Sequence, residues 1–335
     1  MRLPSQDLEP LHQLRLVGPG MHAIGLQQEL LPEPLARTMV EGSSEESVAR
    51  WSRTIGALGQ EAWQRLVGLR YALIGVGRAG SSLALALARM GVTQLTLIDP
   101  DRVESHNLGE TPALTGADIG QLKVEAVAVS LASGAAVPPE VVTVPESITH
   151  LHALRAAQAC DLLISCVDHD GARLAAAVIA ALFCKPLLDI ATGVHGQGRG
   201  RRLGADVRLV LPGQCLLCFG GLRDEARAWQ MLASTEAERA FYARQDWRRE
   251  RAGSLASLNQ CAVGVGVRLL EDLIAERVQE STWAHLAFDA SGRLTVSYPT
   301  GSPRLDRSPC SLCELAGWGE DGLPRVVDLL DARST

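Results

Sequence analysis

Two cysteine pairs, Cys215/Cys218 and Cys310/Cys313, share the Cys-x-x-Cys spacing that lets two thiolates grip one ion. One such pair alone is ambiguous between redox and metal roles. Two pairs, with no histidine in either, favour zinc, held by four thiolates in a closed tetrahedron that is in general structural rather than catalytic. Far upstream, Gly75-Val76-Gly77-Arg78-Ala79-Gly80 follows the apolar run Tyr71–Ile74 and precedes a run rich in Ala and Leu. Between a strand and a helix, the first glycine makes a tight turn and the second lets backbone amides approach phosphates. The third lets helix and strand pack closely. By itself this signal fits NAD, FAD, S-adenosylmethionine or ATP, and simple strand–helix packing too. Together the two features predict a nucleotide domain onto which zinc staples a distant tail.

Asp99 closes the second strand about 20 residues beyond Gly80, where a carboxylate accepts hydrogen bonds from ribose hydroxyls. Dehydrogenases share that much. Asp101 and Asn107 then lie just beyond the ribose carboxylate, Lys123 follows in Gly120-Gln-Leu-Lys, and Asp168 ends a later apolar run. This set suits a triphosphate: a lysine for charge at the reacting phosphate, a carboxylate for Mg2+ and an amide to orient oxygens. Hydride transfer needs none of them. Plainer roles stand beside these. Asp99 can be a simple strand-end residue, Lys123 taken alone a solvated helix lysine, and Asp168 a helix cap, which is compatible with metal binding. His106, His169 and His195 read as hydrogen-bonding neighbours rather than ligands, and Ser234, Thr235 and Ser254 as surface or capping residues.

These groups need a frame at the ends of parallel strands. Strand, turn, helix and strand follow in order from Tyr71 to Asp99. A helix comes next near 119–132, a strand near 141–144, the buried run 161–167 and a helix over 171–184. Strands at 186–190 and 206–211 complete the series. The alternation predicts an α/β fold, a Rossmann-like doubly wound and mostly parallel sheet whose ligands bind at the strands' carboxyl ends. Residues 1–42 read as an N-terminal extension, and Ser43-x-x-Glu46 as a capping box that starts a helix. Residues 43–280 form the nucleotide-binding domain, with a charged excursion over 221–256 carrying Trp229 and Trp247 that reads as a solvated helix pair. An amphipathic helix follows over 257–277. Residues 281–335 hold a hairpin and the zinc-binding tail.

At 335 residues, 47% hydrophobic and 4% aromatic, the chain supports a large core packed by Ala, Leu and Val. Its net charge of −6 argues against nucleic acid as a partner. Eight cysteines suit a disulfide framework only in a small secreted protein, and Cys160, Cys166, Cys184 and Cys261 read as core residues. No signal peptide or membrane-spanning run is evident, so a cytoplasmic chain is expected.

Arg50-Trp51-Ser52-Arg53, Gly75–Gly80, Ile98–Asn107, Lys123, Val167–Arg173 and the paired cysteines occur in the order and spacing of one family. The chain resembles the ThiF/HesA/MoeB and ubiquitin-activating enzyme superfamily, over residues 46–280 plus the second cysteine pair. The resemblance implies a homodimer that uses ATP, Mg2+ and Zn2+ to adenylate the C-terminal glycine of a ubiquitin-like protein. It implies that Arg53 reaches the ATP phosphates, often from the other subunit, and that Asp99 takes the ribose. Asn107 and Lys123 would contact phosphates, Asp168 would hold magnesium, and Arg173 would buttress that loop. Two departures matter. Glu110 stands where the family commonly has a phosphate-binding arginine, so either compensation would fall to Arg78 or Arg102 or catalysis would be weaker. No cysteine occurs between 219 and 260, so the usual thioester cysteine is missing. The activated carboxylate would pass to a conjugating-enzyme-like acceptor or a sulfur donor, or to an oxyester on Thr235 or Ser254. A sulfur-carrier activator of thiamine or molybdopterin type is the nearest alternative. An NAD-dependent oxidoreductase and a non-catalytic nucleotide-binding scaffold are the others.

Overall fold

A computed structural model describes residues 45–109, 111–195, 202–244, 255–289, 291–299 and 310–334. The extension 1–42, the capping-box Ser43, Glu110, Trp247 and Ser254 lie outside the described residues, as do the side chains of His195 and Thr235.

Among the described residues, eight strands form one sheet in the order β3-β2-β1-β4-β5-β6-β7-β8. Strands β1 (Arg70–Ile74), β2 (Gln94–Ile98), β3 (Glu140–Val144), β4 (Leu162–Ser165) and β5 (Leu187–His195) are mutually parallel. The run at 206–211 belongs to β6 (Arg202–Val210), which is antiparallel to β5. Strands β7 (Thr282–Phe288) and β8 (Leu294–Ser297), the expected hairpin, continue antiparallel to the edge. The parallel half is apolar on both faces, as crossover helices require: all of β4 is buried, and so is β1 after Arg70.

One face is covered by α1 to α5 in part: α1 (Glu45–Arg50) and α2 (Ser52–Leu58) lead into α3 (Gln60–Gly68), and α4 (Arg78–Arg89) and α5 (Lys123–Gly134) pack on the strands. The opposite face carries α6 (Leu151–Gln158), α7 (Asp170–Leu182) and α8 (Glu225–Ala233); α9 (Thr235–Arg244) follows α8. The 19-residue α10 (Ala256–Ile274) returns to the first face across β5 and β6. The alanine-rich α7 is buried from Gly171 through Leu182, as a helix enclosed on every side must be.

What encloses α7 corrects the reading of 221–256 as a solvated pair. Helix α8 packs on α7 with Trp229 fully buried, and on the terminal helix α11 (Leu323–Ser334), which the sequence reading had not anticipated. In α9, Glu238 is 5% exposed and both its carboxylate oxygens are engaged, by Ser147 Oγ at 2.7 Å and Thr149 Oγ1 at 2.8 Å. Ser234 caps α9 by accepting from Ala237 N at 3.3 Å.

Candidate nucleotide site and cysteine cluster

The carboxyl ends of β1, β2 and β4 meet at the topological switch point, because β1 lies between β2 and β4 in the sheet. Gly75 leaves β1 at φ +85°, a left-handed conformation that favours glycine, and its amide donates to the Ile98 carbonyl at 2.8 Å. A Cβ on Gly80 would stand 1.9 Å from the Gly75 carbonyl oxygen, so only glycine lets α4 sit this close to the turn. A Cβ on Gly77 would meet nothing within 4 Å. The turn and close-packing roles of the first and third glycines thus have visible causes, and the second faces open space where a ligand's phosphates can approach.

Asp99 is buried at the end of β2. Its Oδ2 accepts from Val76 N and its Oδ1 from Asp101 N, both at 2.9 Å, so it locks the glycine turn to the next loop. Burial pushes its carboxyl up and Asp101 adds to that, while Lys123 and the two amides pull the other way. Lys123 is the first residue of α5, which starts later than the 119–132 reading because Gly120 turns at φ +88° and Leu122 forms an isolated bridge with Arg102. Its Nζ pairs with Asp101 Oδ2 at 2.7 Å, and its amide donates to the Asp101 carbonyl at 2.9 Å. Asn107 ends a 3-10 turn and accepts from Glu104 N through Oδ1 at 2.8 Å, which leaves its NH2 group as a donor. Asp168 is exposed on the loop after β4, close enough to Lys123 to favour its charged form.

Asp168 does not cap the following helix. His169 does, its Nδ1 accepting from Ala172 N at 3.2 Å, while Nε2 lies 3.6 Å from Glu238. Asp168 is thereby left free of a structural duty at the helix end. Arg173, buried, donates through Nη2 to the Val167 carbonyl at 3.2 Å and through Nη1 to the Gly221 carbonyl at 3.4 Å. It braces the Asp168 loop from beneath rather than facing the cleft. Arg102 donates to the Gly120 carbonyl at 2.8 Å, so its guanidinium is already engaged; Arg78 opens α4 beside Gly77.

Arg53 is not brought to this cluster. Its neighbour Trp51 donates to the Arg89 carbonyl at 2.9 Å, at the C-terminal end of α4, while the glycine turn is at the N-terminal end. A 12-residue helix separates the two by roughly 18 Å.

The four cysteines converge as their spacing predicts. Cys215 and Cys218 follow β6, Cys310 and Cys313 precede α11, and their sulfurs all lie within 4.8 Å of one another. Three sulfur–sulfur distances are 3.5, 3.6 and 3.7 Å. A tetrahedral ion with metal–sulfur bonds of ~2.3 Å needs edges of about 3.8 Å, so the donor set and its size fit zinc. All four sulfurs would be ligands, leaving no open position for substrate. The cluster sits over the C-terminal end of α7, where Gly317 N donates to the Ala181 carbonyl.

Sequence reading missed a buried polar network between these two sites. Asp189 on β5 is wholly buried, accepts from Ser165 Oγ at 3.0 Å, and lies 3.5 Å from Arg173 Nε and 3.6 Å from Arg208 Nη1. Arg208 donates through Nε to the Phe219 carbonyl at 3.2 Å and stacks over Trp283. Arg208 also pairs with Asp206 Oδ2 at 3.2 Å, whereas the other carboxylate near Arg173, Asp170, is 4.0 Å away, so loss of Asp189 would fall mainly on Arg173.

A doubly wound sheet with a phosphate-type glycine turn at its switch point defines a nucleotide-binding α/β domain. The chain belongs to the ThiF family, which it matches over residues 51–232, more than half its length. It is 26% identical over 225 residues to the "Adenylyltransferase and sulfurtransferase UBA4" of Lodderomyces elongisporus, covering 65% of this chain and 46% of that protein. It is 30% identical over 168 residues to the "Adenylyltransferase and sulfurtransferase MOCS3" of Arabidopsis thaliana, covering 48% and 35% respectively. The chain therefore spans less than half the length of these relatives. Among solved structures, E. coli MccB with MccA shares the fold at a TM-score of 0.61 and 16% identity, over 93% of this chain and 83% of that one. MccB with ATP does so at 0.58 and 14%, over 92% and 82%.

Proposed function

We propose that this chain is an adenylyltransferase that activates the C-terminal carboxylate of a small protein with ATP. The observation that carries the reading is the convergence of Lys123, Asp101, Asp99 and Asp168 beside the open face of Gly77 in a ThiF-family fold. The carboxylate attacks the α-phosphate of ATP, a bond forms between its oxygen and phosphorus, and pyrophosphate leaves. Lys123 and Asn107 donate to phosphate oxygens as negative charge builds on them. Asp99 holds the ribose while keeping the glycine turn in place. Asp168 is the carboxylate positioned to hold Mg2+, which when bound neutralises and orients the triphosphate. The product is a mixed anhydride with AMP as its leaving group.

The substrate is a ubiquitin-like protein ending in glycine. Cys261 lies inside α10, so the activated carboxylate passes to a nucleophile on a partner, a conjugating enzyme in a protein-tagging pathway. The names of the UBA4 and MOCS3 relatives favour a second reading, in which the small protein is a sulfur carrier. MccA beside MccB shows that a neighbour of this fold is found with a different small partner. Four thiolates held as zinc ligands suit a reducing, cytoplasmic setting; among the described residues no helix is long and apolar enough to cross a membrane. Exchange of labelled pyrophosphate into ATP, with each candidate partner in turn, tests adenylation. Label should enter ATP only with a partner ending in a free glycine carboxylate. No exchange with any partner from either class, by a chain that binds ATP, would leave a nucleotide-binding scaffold.

A further inference from the structure

The Asp168 loop and the cysteine cluster stand at opposite ends of α7, roughly 20 Å apart along a 13-residue helix. Between them run three buried charges that neither site requires for its own chemistry. Asp189 has no exposed surface and lies level with Ser165, the last residue of β4 before the Asp168 loop. On one side Arg173 reaches both Asp189 and the Val167 carbonyl, next to Asp168. On the other, Arg208 reaches Asp189 and the carbonyls of Phe219 and, at 3.4 Å, Gly220. Those carbonyls belong to the residues that leave Cys218. Arg173 also reaches the Gly221 carbonyl, so both arginines grip the same three-residue exit from the cysteine knuckle.

We infer that Asp189 is a positioning residue for the nucleotide reaction, coupling the cysteine knuckle to the Asp168 loop through Arg173 and Arg208. The physical ground is that Asp189, with no exposed surface, has among the described residues only these two guanidiniums to compensate it, although Arg208 also pairs with Asp206 at 3.2 Å. If the 219–221 segment moves, Arg208 and Arg173 lose carbonyl acceptors in a medium where no water replaces them, and the loop holding Asp168 loses its brace. An ion in the knuckle fixes where that segment begins. Among the described residues, Asp189 Oδ2 and Arg173 Nε have no hydrogen-bond partner within range, the opposite charges lying 3.5 to 3.6 Å away, so the cluster has room to tighten when the loop above it is occupied. This inference rests on the adenylyltransferase reading and on zinc at the four cysteines.

Coupling between two sites is reciprocal in binding free energy, so it can be read from the zinc side without activity. The zinc-loaded chain is equilibrated against a chelating dye, with and without Mn2+ and a non-hydrolysable ATP analogue. In the wild type the nucleotide and Mn2+ should raise apparent zinc affinity about tenfold, within the range usual for coupled sites. In Asp189→Asn that increment should vanish while calorimetry still finds one nucleotide bound, more weakly. Arg208→Lys, which keeps a buried charge but not the forked reach to Phe219 and Gly220, should lose the increment as well. It serves in place of the first variant if that one does not fold. A chain that takes up no zinc or no nucleotide overturns the underlying reading. A wild type that binds both without mutual effect, or variants that keep the full increment, overturns the coupling alone.

Discussion

A lysine side chain only 12% exposed gives up most of its hydration, and burial alone would pull its pKa down. For Lys123 the opposing carboxylates of Asp99, Asp101 and Asp168 outweigh burial, and the net shift is upward from 10.5. A base whose folded pKa is raised contributes stability that is complete below its unfolded pKa of 10.5, and loses it as pH climbs through the higher folded value. The ammonium therefore stays charged over the working range. ATP affinity should show no loss attributable to Lys123 until the pH comes within about one unit of 10.5; an alkaline decline near pH 8–9 that disappears in Lys123→Arg would contradict this. Lys123→Ala should lower the pyrophosphate-exchange rate about 100- to 1000-fold, the usual effect of removing one donor aimed at transition-state charge. At this scale Asp99, Lys123 and the glycines were legible because each belongs to a local pattern with a chemical reason. Asp189, Arg208 and Glu238 were not. Asp189 and Arg208 sit in runs that read as strands, and Glu238 in a charged run, and their partners are distant in sequence, as Glu238 is from Ser147 and Thr149. Nothing local marks a buried charge whose compensation comes from another element.

Helix α2 is where an element decides chemistry. It carries Arg53 but is pinned through Trp51 to the C-terminal end of α4, and a Cβ on Gly91 would meet the Trp51 ring at 2.9 Å. The arginine cannot serve the glycine turn of its own chain without dismantling that contact. The family resemblance implies that it serves a second copy, which is a proposal to be tested. A dimer mixing Arg53→Ala with Lys123→Ala subunits should then regain up to about a quarter to a half of wild-type exchange, since half of the sites in a hybrid dimer are intact. Mixed subunits that stay as inactive as either parent would overturn action in trans and point to Arg53 working within its own chain or to a monomer. Helix existence and order were readable from apolar periodicity, whereas the burial of α8 and the presence of α11 were not. Trp229 looked like one aromatic in a charged run; only the all-round burial of α7 demands that α8, α11 and the cysteine tail cover it.

For the whole molecule, the parallel half of the sheet supplies the switch point and the antiparallel half carries the chain from β5 through β8 to the edge. Strand alternation could reveal the first but not the direction of β6, because the two-residue side-chain period of a strand is the same in either sense. The cysteine tail closes the far end of α7, so the Asp168 loop and the four cysteines stand at opposite ends of the same buried helix. The proposed function requires a crevice beside Gly77 that takes magnesium triphosphate. A crystal structure of the chain with Mg2+ and a non-hydrolysable ATP analogue measures that directly. The triphosphate is expected over the Gly77 face, with Lys123 Nζ hydrogen-bonded to a phosphate oxygen, the ribose on Asp99 and the metal on Asp168. A crevice left empty under saturating nucleotide, or a nucleotide bound with Asp168 turned away from its metal, would contradict it.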